Sequence, residues 1–155
     1  MNKKNIILLV LLLFGLSACS VRETVSLENR FKEIMVEHNN DFDSVWHFEV
    51  KEDVVIVFYE KDQSLNIGFI RDKQGDWEWI TGTGSIDLKD GGYIATAEMG
   101  LPFYITAVVN NNDDIKGISV RGEYAKLVQI SPQDKFWFAF TNKPASGIDI
   151  EEIKS

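Results

Sequence analysis

Tryptophan is the residue type in this chain whose number and spacing first suggest chemistry. Trp77 and Trp79 stand two apart in a run that reads as a strand, so both project from one face, with Glu78 on the other. Side-by-side indoles form a flat apolar platform for a sugar ring or a peptide. The same rings also suit the core of a domain held without disulfides, and spacing alone leaves both uses open. Trp46 is a third candidate for such a ligand face. In Ser44–Val50 the alternation puts it on one side with Phe48 and Val50.

Other site chemistries find less support. His38 and His47 are the only histidines, and a single cysteine, Cys19, is the only thiol. A zinc site needs three or four such ligands, so no metal is expected. Asn110, Asn112 and Asp114 copy the first spacings of a calcium loop. Ile115 then stands where the loop needs glycine, and Arg121 where a bidentate glutamate belongs, so the stretch reads as a turn. Gly82-Thr83-Gly84-Ser85 lacks the Gly-Lys-Ser/Thr of a phosphate cradle. No Gly-x-Ser-x-Gly elbow occurs, and a paired-carboxylate hydrolase has no spacing signature to find. The expectation is a protein that is not an enzyme and uses no cofactor.

The clearest signal lies at the start. Lys3 and Lys4 precede nine consecutive apolar residues, Ile6 to Phe14, and then Gly15-Leu16-Ser17-Ala18-Cys19. A basic segment followed by a short apolar run is the pattern of a secretory leader. The run falls well short of the roughly 20 residues that span a bilayer. Leu16-Ser17-Ala18-Cys19 resembles the lipobox of bacterial lipoproteins. The resemblance covers the first 19 residues and implies cleavage before Cys19 and a diacylglyceryl group on its sulfur. Two acyl chains anchor stably where one does not. The implied address is the extracytoplasmic face of a cell membrane, held by membrane lipid through Cys19.

This divides the chain into a leader (1–18), a lipidated cysteine and tether (19–26), and one domain (27–155). Of 155 residues, 137 remain after cleavage, enough for a core without staples. Loss of Lys3 and Lys4 with the leader takes the net charge from −8 to −10. Such a surface repels nucleic acid, which is not an expected partner.

Within the domain one helix is predicted. Leu27, Phe31, Ile34, Met35 and His38 form an apolar stripe, Ser26 can cap it, Glu28 and Lys32 can pair, and Asn39-Asn40 can end it. From residue 44 the pattern is strands. Val54 to Tyr59 is apolar on both faces, as in a central strand. Asp72-Lys73-Gln74-Gly75-Asp76 marks a hairpin, and about ten short strands follow one another at 8–12-residue spacing. The predicted class is mainly β: antiparallel meander or sandwich-like sheets with one N-terminal amphipathic helix. Whether the two strand groups share one core stays open. The expected function is a non-enzymatic binding or accessory module for a protein or cell-wall partner. The alternative is a small-ligand or glycan binder using the aromatic face.

Overall fold

The computed structural model describes residues 26–38, 40–74 and 76–154. The expected leader, the Cys19 lipidation site and the tether through residue 25 lie outside the described residues. The described chain is mainly β, antiparallel throughout, with a single α-helix.

Helix α1 (Leu27–Glu37) begins where the sequence places it. Ser26 is extended, and its Oγ accepts the Asn29 N–H at 3.2 Å. Lys32 pairs with Glu28 at 2.9 Å one turn away. The helix ends as the His38 and Asn40 N–H groups donate to Ile34 O and Met35 O. Eleven residues are too few for a stable helix in water, so its packing must hold it. Phe31, Ile34 and Met35 are buried; Leu27 at the first turn stays 44% exposed.

The helix covers one face of a sheet formed by β1 (Ser44–Lys51), β2 (Val54–Lys61), β3 (Ser64–Lys73) and β4 (Asp76–Gly82), in that order, with β5 (Ile86–Asp87) on the far half of β3. A second sheet has the order β10 (Lys126–Gln129), β11 (Lys135–Thr141), β7 (Tyr104–Val109), β6 (Gly92–Ala95). A third has the order β12 (Ile150–Lys154), β8 (Ile115–Val120), β9 (Glu123–Tyr124).

Burial resolves these into four layers with three apolar interfaces. Phe31, Ile34 and Met35 meet Val55, Val57, Tyr59 and Ile70 between helix and first sheet. The other face of that sheet, with Val54, Ile56, Phe58, Leu65, Ile67 and Phe69, packs on Ile105, Ala107, Phe136 and Phe138 of the second. The far side of the second sheet presents Val108, Trp137 and Ala139 to Ile115, Ile118 and Val120 of the third. The two strand groups therefore share a core, and the later group adds a further layer. Strand β11 shows why: successive residues Phe136, Trp137 and Phe138 point into opposite interfaces, and all three are buried.

One expected alternation is broken. Val45 pairs with Tyr59 and His47 with Phe58, so Trp46 is an extra residue in β1. This bulge turns Trp46 toward the second sheet, its ring 6.4 Å from Phe136, while Phe48 stays on the helix side. Trp46 and Phe48 do not share a face, contrary to the alternation read from sequence.

Candidate functional site

The β2–β3 hairpin is the point from which the site is built. Strand β2 ends at Lys61 and β3 begins at Ser64, leaving Asp62 and Gln63 to turn the chain, with φ of 52° and 59°. Two successive left-handed residues match the twist of the flanking strands, although asparagine and glycine fill such turns more easily. Asp43 braces the turn by accepting the Asp62 N–H at 2.9 Å. A depression opens on each side of this hairpin.

On the side of the second sheet lies a groove of about 630 Å³. Glu60 and Gln63 come from the hairpin, Asp87 from β5 and Lys89 from the loop after it, Asn111 and Asp113 from the β7–β8 loop, and Gln133 and Asp134 from the β10–β11 turn. Three of its four carboxylates are held by hydrogen bonds. Asp87 Oδ1 accepts the Asp90 and Lys89 N–H groups, and these two backbone bonds hold its carboxyl below the usual range. Asp134 accepts from Ser131 Oγ at 2.7 Å, and Glu60 from Ser44 Oγ at 2.9 Å. Asn111 donates to Leu88 O at 2.7 Å, which links two of the loops. These bonds hold the walls in place. Four carboxylates against Lys89 make the lining anionic.

The Asn110–Asp114 stretch is a turn held by asparagine side chains. Asn112 and Asp114 N–H groups donate to Asn110 Oδ1 and Asn112 Oδ1. Among the described residues no three His, Cys, Asp or Glu side chains come together as a metal site.

On the helix side of the same hairpin lies a smaller pocket of about 390 Å³, lined by Tyr59, Lys61, Ser64, Asn66, Thr83 and Ser85 among others. Tyr59 and Asn66 are direct cross-strand partners on β2 and β3. Along the helix-facing row of β3 the next residue is Gly68, opposite Gly82 on β4. The Trp79 indole lies over this glycine pair. Trp77 and Trp79 do share a face, as their spacing predicts, and both are half-buried against the helix-side core. Trp46 is not brought to them.

The histidines serve different ends. The His38 ring lies 6.3 Å from that of Trp79. His47 sits between Phe58 and Phe138 at 5.8 and 5.6 Å. Its Nε2 is 3.3 Å from Glu49 Oε2, and Lys126 Nζ donates to Glu49 Oε1 at 2.6 Å. Burial pushes the Glu49 carboxyl up, but the bonds from Lys126 and His47 outweigh it and leave its pKa below the ordinary value. This cluster clamps β1 of the first sheet to β10 of the second. Neither histidine is hydrogen-bonded to a hydroxyl among the described residues.

No family model matches the chain, and no curated protein or solved structure matches it in sequence or fold.

Proposed function

We propose that the chain is a lipid-anchored extracytoplasmic binding module, not an enzyme, that offers its hairpin end to a protein or cell-wall partner. The observation that carries this reading is the groove beside Gln63, which draws on four separate loops and is held open by their own hydrogen bonds. A preformed concave surface is the usual setting for recognition, because little ordering remains to oppose binding. Its anionic lining favours a basic segment of the partner. Attachment through Cys19 would confine the module to a membrane surface and raise its local concentration there.

The lipid half of the proposal is tested by intact mass of the membrane-extracted protein. A diacylglyceryl-modified chain beginning at Cys19 is expected, and an unmodified or uncleaved chain would rule it out. In the second reading a small ligand uses the aromatic face. It is favoured by the polar pocket beside Tyr59, on the face of the first sheet that also carries Trp77 and Trp79.

A further inference from the structure

The loop between β5 and β6 contains the chain's only Asp-Gly pair, Asp90-Gly91, next to the groove residue Lys89. The fold requires glycine at the second position. Gly91 has a φ of 71°, and a Cβ built there would stand 2.9 Å from Val109 O. The left-handed backbone disfavours a side chain, and β7 leaves no room for one. Nothing comparable fixes Asp90. Its side chain is exposed, and its carboxylate has no hydrogen-bond or ion-pair partner among the described residues. Other aspartates are tied down. Asp87 Oδ1 accepts two backbone N–H groups, and Asp149 accepts from Ser146 and Arg121. Asp43, which also precedes a small residue, Ser44, is held by the Asp62 N–H at 2.9 Å.

We infer that Asp90-Gly91 is a site of spontaneous isomerisation, where aspartate becomes isoaspartate through a succinimide. An aspartate Cγ and the next main-chain nitrogen can close a five-membered ring, and glycine carries no side chain to obstruct the closure. The Gly91 nitrogen bonds to Asp90 Cγ and gives up its proton, while the protonated carboxyl gives up its hydroxyl, so one water leaves. One water then opens the ring. Attack at Cγ restores aspartate. Attack at the main-chain carbonyl carbon breaks its bond to the Gly91 nitrogen and leaves isoaspartate, with the chain running through Cβ and Cγ. The water is returned, and no oxidant or other reactant takes part. In the folded chain the Gly91 N–H donates to Asp87 O at 3.0 Å, so closure waits on the opening of this surface turn.

Isoaspartate lengthens the main chain by one atom in a segment that is held on both sides. Asp87 Oδ1 holds the Lys89 and Asp90 N–H groups, and Gly91 sits against Val109 O. The extra atom falls between these two holds, so one of them must give. Leu88 and Lys89 belong to the same turn, line the groove and receive the Asn111 side chain through their carbonyl oxygens. Isomerisation therefore alters one wall of the groove as the protein ages. The chemistry is independent of the partner reading, and only its effect on recognition rests on that reading.

The test is prolonged incubation of the full, folded chain in heavy-oxygen water at neutral pH, beside the same chain unfolded in urea. Peptide mapping then locates the heavy oxygen that ring opening adds, and electron-transfer fragmentation tells isoaspartate from aspartate. Heavy oxygen and isoaspartate are expected at residue 90 of the folded chain, ahead of every other aspartate. Asp90→Glu should abolish both there, because its imide needs a six-membered ring that closes far more slowly. This variant keeps the charge and replaces an exposed, unpartnered side chain, so its melting temperature should not change. In the isomerised chain, hydrogen exchange should show lost protection at the Lys89, Asp90 and Gly91 amides. Absence of label at residue 90 of the folded chain over several weeks would overturn the inference, whatever the unfolded chain does. Label spread equally over Asp43, Asp113 and Asp90 would overturn it as well.

Discussion

Trp79 lies directly over Gly68, its benzo ring occupying the space where any other residue would carry a Cβ. The ring carbons Cζ3 and Cη2 would stand 2.8 Å from that atom, closer than real Cβ contacts allow. A Cβ on Gly82, opposite on the neighbouring strand, would stand 3.3 Å from the same ring. Glycine at these facing positions lets a large indole lie against the sheet under the helix.

Gly68→Ala should therefore displace Trp79 and destabilise the fold by about 1–3 kcal/mol, the usual cost of overpacking. For a chain of this size that corresponds to a fall of roughly 2–12 °C in Tm. A thermal melt followed by near-ultraviolet circular dichroism would report both effects. An unchanged melt and spectrum would mean that the indole moves freely and has no fixed place.

The helix should depend on Phe31. Its ring is fully buried and contacts Phe42, Tyr59 and Trp79 at centroid distances of 5.1, 5.4 and 6.4 Å. Phe31→Ala should cost about 3–5 kcal/mol and free α1 from the sheet. Hydrogen exchange should then show the helical amides losing protection first. Equal loss across all three sheets would contradict a helix that docks as a separate layer.

Acid should loosen the flank clamped by Glu49. Its folded-state pKa is depressed below the ordinary 4.5, so its contribution to stability is complete above that value. The contribution fades as pH falls through 4.5 toward the lower folded value. Denaturant melts between pH 7 and 3 should show this loss, and Glu49→Gln should be less stable at pH 7 yet lose less on acidification. Parallel curves for the two proteins would show that the bonds from Lys126 and His47 do not stabilise the fold.

The hairpin that separates the two depressions carries avoidable backbone strain. Asp62 and Gln63 are both left-handed, and replacing the pair with Asn-Gly should stabilise the protein by about 1 kcal/mol. Differential scanning calorimetry would measure it. A destabilised variant would indicate that Asp62 and Gln63 make compensating side-chain contacts.

Features carried by neighbours in sequence were legible from the start. Ser26 and the Phe31–Ile34–Met35 stripe predicted the helix, and Phe136-Trp137-Phe138 already required opposite destinations for neighbouring rings. The Trp46 bulge was not legible, because an extra residue in a strand leaves no mark on composition and reverses the alternation around it. The groove was hidden for a different reason. Gln63, Lys89, Asp113 and Gln133 are far apart in the chain and meet only through sheet topology. The pairing of Tyr59 with Asn66 was not legible either, since only strand register makes them opposite partners.

Recognition of a partner through the groove at the hairpin end is the proposal to test first. In-cell crosslinking of the native lipidated protein, followed by mass spectrometry, tests it most directly when run beside Asp113→Lys, whose side chain is fully exposed in the groove. One abundant, reproducible partner is expected with the native chain, with its marked loss in the variant. No enriched partner, or the same partner captured equally by both, would contradict it.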